Sequence, residues 1–139
     1  MRKYYIATTL SRSAEHNIAR DAIQEFGYEL TYDWTTHGSV QSVSKNRLQE
    51  VATLEMEAVS AADFLVVLLP GGFGTHVEIG VALGREIPIF IHSEEPDCFE
   101  LGPQTNAFYH HSTVKQIVCP LEELAATLNG LVNQDLVPQ

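Results

Sequence analysis

Hydrophobic residues along this chain alternate between two spacings. Lys3–Thr9 (KYYIATT) is β-branched and aromatic and ends in small hydroxyl residues, which reads as a buried strand emptying into a loop. From Ser13 to Phe26 the apolar residues Ile18, Ala22, Ile23 and Phe26 fall on one helical stripe, with Ser13 as its cap and Gly27 as its stop. Glu29–Trp34 (ELTYDW) predicts a second strand, followed by the polar loop Thr35–Val43. Helical spacing returns over Arg47–Ala62 through Leu48, Val51, Leu54, Ala58 and Ala61. Phe64–Leu69 (FLVVLL) has no polar alternation, as expected of a central parallel strand buried on both faces. It stops at Pro70-Gly71-Gly72-Phe73-Gly74, after which Thr75–Gly84 reads as a helix and Ile87–His92 (IPIFIH) as a fourth strand. A long polar loop from Ser93 to about Ser112, a short strand Gln116–Cys119 and a helix Leu121–Val132 complete the pattern.

Strands alternating with helices imply right-handed βαβ units and an α/β fold. The expectation is a single-domain, flavodoxin-like or Rossmann-like parallel five-stranded sheet of order 2-1-3-4-5, with helices on both faces. The domain is expected to span residues 1–133, with 134–139 as a frayed tail. In that strand order the chain reverses direction between the first and third strands, and ligands bind outside the carboxyl ends of strands at such a switch point. Two loops meet there, Thr8-Thr9-Leu10-Ser11 and the PGGFGTHVE segment that begins at Pro70.

Composition narrows the function. A chain of 139 residues with 45% hydrophobic and 19% charged content suits one core rather than two. Eight Lys+Arg against eighteen Asp+Glu give a net charge of -10, which argues against a nucleic acid polymer or an anionic membrane as partner. A small nucleoside or nucleotide remains possible, because a few backbone amides bind one phosphate whatever the overall charge. No run approaches the roughly 20 apolar residues of a membrane span, and no signal-peptide core opens the chain, so a cytoplasmic location is expected. Cys98 and Cys119 lack CxxC spacing and the six histidines lack ligand spacing, so neither a disulfide framework nor a metal site is expected.

Gly71, Gly72 and Gly74 allow a ligand to approach the backbone closely, and the helix that follows offers unpaired N–H groups to an anion. The loop is neither a Walker P-loop nor a dinucleotide fingerprint, and a tight βα turn would by itself require the same glycines. Glu78 falls in the first turn of the predicted helix, where the macrodipole favours the ionised form and a low pKa. An ionised carboxylate at the switch point is suited to nucleophilic attack or to stabilising an oxocarbenium ion; the plainer reading is a glutamate that complements the dipole. Glycine at position 80, with Ala82 and Gly84, indicates close packing against that helix face by another helix of the same subunit or of a second one, and a homodimer or larger homo-oligomer is expected.

The segment PGGFGTHVEIGVALGREIPIFI, preceded by AADFLVVLL, resembles the nucleoside 2-deoxyribosyltransferase superfamily, which includes the 2'-deoxynucleoside 5'-monophosphate N-glycosidases. The shared features are Ala62-Asp63 before the buried strand, the G-x-x-E-x-G-x-A series carried by Gly74/Thr75, Glu78, Gly80 and Ala82, and Pro88 before the next strand. Tyr5-Ile6-Ala7-Thr8-Thr9 resembles the family's tyrosine-bearing first strand and small-residue loop. The resemblance implies cleavage or transfer of the N-glycosidic bond of a nucleoside or nucleoside 5'-monophosphate through a Glu78 glycosyl-enzyme, with Tyr5 orienting the carboxylate and no cofactor. Glu55 stands where the family commonly has an aspartate, and Gly72 where it has an aspartate or a serine. The string PGGFGT is also similar to the PGGxGTxxE motif of the cytokinin-activating phosphoribohydrolases. A nucleotide-binding or sensing module without turnover is the alternative from another class.

On this reading the departing base takes its proton from Glu55 or Asp33, and Thr8, Thr9, Ser11, Gly71, Gly72, Gly74 and Thr75 contact the sugar or its 5' end. Trp34 either stacks a base at the rim or covers core, and Asn106 reaches a neighbouring subunit's site or remains in its own loop. His37 and His76 approach the site, whereas His110 and His111 belong to the surface.

Overall fold

The computed structural model of the chain describes residues 2–135. Five parallel strands form one sheet: β1 (Lys3–Ala7), β2 (Glu29–Leu30), β3 (Phe64–Leu68), β4 (Ile89–Ser93) and β5 (Val114–Val118), in the order β2-β1-β3-β4-β5. The helices are α1 (Ser13–Gln24), α2 (Lys45–Ser60), α3 (Phe73–Gly84) and α4 (Leu121–Asp135). This is the α/β fold that the sequence pattern implies. The chain is already helical at 134 and 135, where a frayed tail was expected, and residues 136–139 lie outside the described residues.

Alternation along the strands divides the core in two. Tyr4, Ile6, Phe64, Val66 and Phe90 face one side, where α1 packs on α4. Tyr5, Ala7, Leu65, Val67 and Ile89 face the other, where α2 packs on α3. β3 is buried along its whole length, as a strand covered on both faces must be, and each fully buried Leu, Ile or Phe contributes about 1.5–3 kcal/mol. The register Tyr5↔Leu65 and Ala7↔Val67 aligns the ends of β1 and β3, so the loops that follow them open side by side.

Several boundaries differ from the sequence pattern for local reasons. The expected apolar stripe of α1 is rotated: Ile18 and Phe26 are exposed, and the buried face is His16, Ala19 and Ile23. The histidine holds a core position by setting its ring edge-on to Trp34, with centroids 4.9 Å apart. Ser13 does not cap α1, because a 3-10 turn at Leu10–Arg12 runs directly into it. β2 keeps only Glu29 and Leu30, since Asp33 accepts from Thr35 N and turns the chain into a second 3-10 turn, Trp34–Thr36. Two more such turns, Pro96–Phe99 and Ala107–His110, shape the long loop between β4 and β5. On α2, Val51, Ala58 and Val59 are buried, whereas Leu48 and Leu54 lie at the surface. α3 begins at Phe73, two residues before the expected start. No helix among the described residues is long and apolar enough to cross a membrane.

The glycines of this region separate into two kinds. A Cβ at Gly71 would lie 2.6 Å from Cγ2 and 2.8 Å from Cβ of the buried Thr75, whereas a Cβ at Gly80 or Gly84 would meet nothing within 4 Å. The close packing expected at Gly80 is therefore not made by any part of the described chain. Gly80→Ala should stabilise the protein by about 0.5–1 kcal/mol, because helix propensity improves without a clash. Gly71→Ala should destabilise it by about 1–3 kcal/mol through overpacking against Thr75. Thermal unfolding of both variants checks this, with midpoints moving in opposite directions.

Candidate active site

An open cleft of about 710 Å³ lies at the carboxyl ends of β1 and β3, a size suited to a small-molecule ligand. Its walls come from the loop after β1, the glycine loop leading into α3, one face of α2 and the segment 37–41. Glu78 and Glu55 stand in the wall, whereas Tyr5 is fully buried and does not line it.

Tyr5 points to the α2/α3 side because strand alternation places it there, opposite Tyr4. Its hydroxyl meets one glutamate from each helix: it is 2.5 Å from Glu78 Oε2 and 3.2 Å from Glu55 Oε1. Burial, with the two neighbouring carboxylates, pushes the Tyr5 phenol far above its ordinary pKa, so the hydroxyl keeps its proton and donates. A phenol has one hydrogen and faces two carboxyls.

The expected low pKa of Glu78 is reversed. Because α3 starts at Phe73, Glu78 lies in the second helical turn, beyond the strongest influence of the macrodipole, and only 7% of its surface is exposed. Burial raises its pKa well above the ordinary carboxylate range; the Tyr5 hydrogen bond opposes the shift, and the charge of Glu55 adds to it. Glu78 is thus a protonated carboxyl in the resting protein over a pH range in which an exposed glutamate is ionised.

The glycine loop is held by its own side chains. Gly72 N donates to Thr75 Oγ1 at 3.0 Å, and a Cβ at Gly72 would lie 3.2 Å from Thr9 Oγ1, so the two switch-point loops meet at this glycine. Thr9, Gly71, Gly72, Gly74 and Thr75 all line the cleft. Thr8 lines it too, but its hydroxyl donates to Leu68 O at 2.8 Å and ties β1 to β3.

Besides the buried Tyr5, four residues expected at the site do not line the cleft. Trp34 is buried, donates its indole N–H to Ile6 O at 2.8 Å and covers core instead of offering a face to a base. Asp33 accepts from Arg20 Nη1 at 2.6 Å and from Thr35; burial pushes its carboxyl up, but these bonds outweigh burial and hold it below its ordinary pKa, unsuited to donating a proton. Ser11 is exposed in the 3-10 turn after β1. Asn106 spends its side-chain oxygen on the N–H groups of Phe108 and Tyr109.

The sequence reading missed the extent of the segment 37–41 and the part played by Tyr109. Val40 and Gln41 line the cleft because the chain leaves β2 early, and the polar loop following a strand at the switch point was the available signal. Tyr109 reaches His76, itself in the cleft wall, across a separation in sequence that no local pattern reports. Among the described residues no group of His, Cys, Asp and Glu is placed to hold a metal ion.

No family model matches the sequence, and no curated protein is similar enough in sequence to count as a match. Solved structures do match. A CMP N-glycosidase of Clostridium botulinum, BcmB, is 16% identical with a TM-score of 0.63, over 92% of this chain and 99% of that one. A 2-deoxyribosyltransferase from Bacillus psychrosaccharolyticus is 17% identical with a TM-score of 0.67, over 91% and 95%. A conserved protein from Enterococcus faecalis V583 is 19% identical with a TM-score of 0.68, over 94% and 99%. Along nearly its whole length, then, the chain has the fold of structures that include an N-glycosidase and a 2-deoxyribosyltransferase.

Proposed function

We propose that this protein cleaves or transfers the N-glycosidic bond of a nucleoside or nucleoside 5'-monophosphate, with Glu78 as nucleophile, Tyr5 as its positioning partner and Glu55 as proton carrier. The observation that carries the reading is the Tyr5 hydroxyl shared by Glu78 and Glu55 in the wall of the cleft. The fold shared with a CMP N-glycosidase and a 2-deoxyribosyltransferase supports the choice of bond. Of the two expected proton donors, the geometry favours Glu55, because Asp33 lies outside the cleft in its ion pair with Arg20.

The protons balance within the cluster. Burial keeps one proton on Glu78, and that proton passes to Glu55. The Glu78 carboxylate so formed attacks C1' while Glu55 delivers the proton to the departing base, leaving a glycosyl ester on Glu78. Water then attacks C1' and yields its proton to Glu55, the ester bond breaks to free the Glu78 carboxylate, and the proton passes back from Glu55 to Glu78 to restore the starting state; a second base in place of water gives transfer, with configuration retained in either case. Tyr5 keeps its proton throughout and steadies the carboxylate by its hydrogen bond. No cofactor enters these steps.

At the 5' end of the substrate, the amides of Gly74 and Thr75 in the first turn of α3 and the Thr9 hydroxyl are the donors available to a phosphate, and Gly72 brings no carboxylate to repel it. A nucleoside 5'-monophosphate is therefore the favoured substrate.

Incubating the protein with paired nucleosides and 5'-monophosphates, and assaying free base, should show release with the phosphorylated member preferred in kcat/KM. Glu78→Gln should lower turnover at least about 10³-fold, and Tyr5→Phe about 10- to 100-fold, the worth of one hydrogen bond to a charged group. Full turnover by Glu78→Gln would end the nucleophile assignment. Nucleotide binding without base release from any member would favour the sensing module.

We also propose that the protein is a homodimer or larger homo-oligomer, supported by the exposed apolar side chains of Phe73 and Val77 on α3. Light scattering at micromolar concentration should give at least twice the chain mass, and a monomer there would contradict this.

A further inference from the structure

We propose that His76 and Tyr109 form a latch that positions the glycine loop, and that the latch fixes the neutral His76 ring in the Nδ1–H tautomer. His76 lies one turn after Gly72, the residue that caps the start of α3. Its Nδ1 is 2.8 Å from Gly72 O, and its Nε2 is 2.7 Å from the Tyr109 hydroxyl. A carbonyl oxygen only accepts, so Nδ1 carries the hydrogen. In the neutral ring Nε2 is then bare, and the Tyr109 hydroxyl donates to it. The two rings stack with centroids 5.8 Å apart and planes 29° apart, so ring packing and hydrogen bonding hold the same pair.

The far end of the latch is anchored. Tyr109 is buried, Phe99 meets its ring edge-on at 6.2 Å, Asn106 accepts from its backbone N–H, and Gln116 of β5 donates to its carbonyl at 3.0 Å. At the near end the N–H of Gly72 donates to Thr75 Oγ1, and its carbonyl accepts both from the His76 ring and, at 3.3 Å, from the His76 backbone N–H, so the latch adds a side-chain bond to the helix's own first one. A loop with Gly71, Gly72 and Gly74 has little intrinsic rigidity, so these side-chain bonds help to fix the backbone that lines the cleft. Neither His76 nor Tyr109 bonds to Glu78, Glu55 or Tyr5. Both are positioning residues, with an effect expected on substrate affinity and not on the chemical step. The effect on affinity rests on the function proposed above; the tautomer and the loop's rigidity do not.

The test uses protein labelled with 15N in histidine, compared with Tyr109→Phe and His76→Asn. Two-bond 1H–15N correlation spectra of neutral His76 should show Nδ1 protonated and Nε2 bare, and Tyr109→Phe should move the Nε2 resonance as that nitrogen loses its donor. Hydrogen exchange of the amides from 71 to 75 should quicken about fivefold or more in both variants, the size expected for one lost hydrogen bond. Base release should show KM raised about fivefold and kcat changed less than about twofold. An Nε2–H tautomer in the wild type, unchanged exchange in both variants, or a fall in kcat with constant KM would each overturn the latch. If the wild type releases no base from any substrate, the proposed function fails, and the tautomer and exchange measurements still decide the latch.

Discussion

A single phenolic hydrogen faces two carboxyl groups where the sheet, α2 and α3 converge. Tyr5 holds Glu78 and Glu55 on one hydroxyl, at 2.5 and 3.2 Å, in a wall where Glu78 is almost completely removed from solvent. Two negative charges in such a place repel one another and are poorly solvated, so a proton stays in the cluster. That constraint links structure to chemistry: cleavage of an N-glycosidic bond requires one carboxylate to attack and one proton to leave with the base, and the cluster supplies both once the proton moves between its members.

The rest of the fold serves this convergence. Strand alternation sends Tyr5 to one side and Tyr4 to the other, full burial of β3 keeps β1 in register, and the packing of α2 on α3 brings a glutamate from each helix to the same hydroxyl. The arrangement also links stability to pH. The folded pKa of Glu78 lies above its unfolded value, so its contribution is present in full below the ordinary glutamate range and is lost as pH rises through the raised value. The protein therefore keeps at its centre a group that works against stability in its ionised form, as sites built for reaction commonly do.

Much of the fold was legible in the sequence because the signals were local and strong. The unbroken FLVVLL run marked a strand covered on both faces, the alternation of elements implied the strand order, and that order placed the glycine loop and the loop after β1 together. Residues controlled by distant partners were not legible. Glu78 was placed in a first turn because Phe73 and Gly74 read as loop, yet Gly72 N bonding to Thr75 starts the helix earlier and carries the carboxyl into the interior. Asp33 and Trp34 lay at the end of an expected strand, but Arg20 and the carbonyl of Ile6 draw them away from the cleft. His76 was visible as a candidate, whereas its partner Tyr109 is brought close only by the fold.

The protonation of Glu78 is the most direct measure of whether this cluster exists as described. In protein carrying 13C at the glutamate side-chain carboxyls, one resonance should titrate well above the ordinary glutamate range. It should vanish in Glu78→Gln and move downward in Glu55→Gln, where burial remains but the neighbouring charge is gone. If every glutamate titrates in the ordinary range, or if the elevated titration is indifferent to Glu55, then Tyr5, Glu55 and Glu78 do not form the coupled unit on which the proposed chemistry depends.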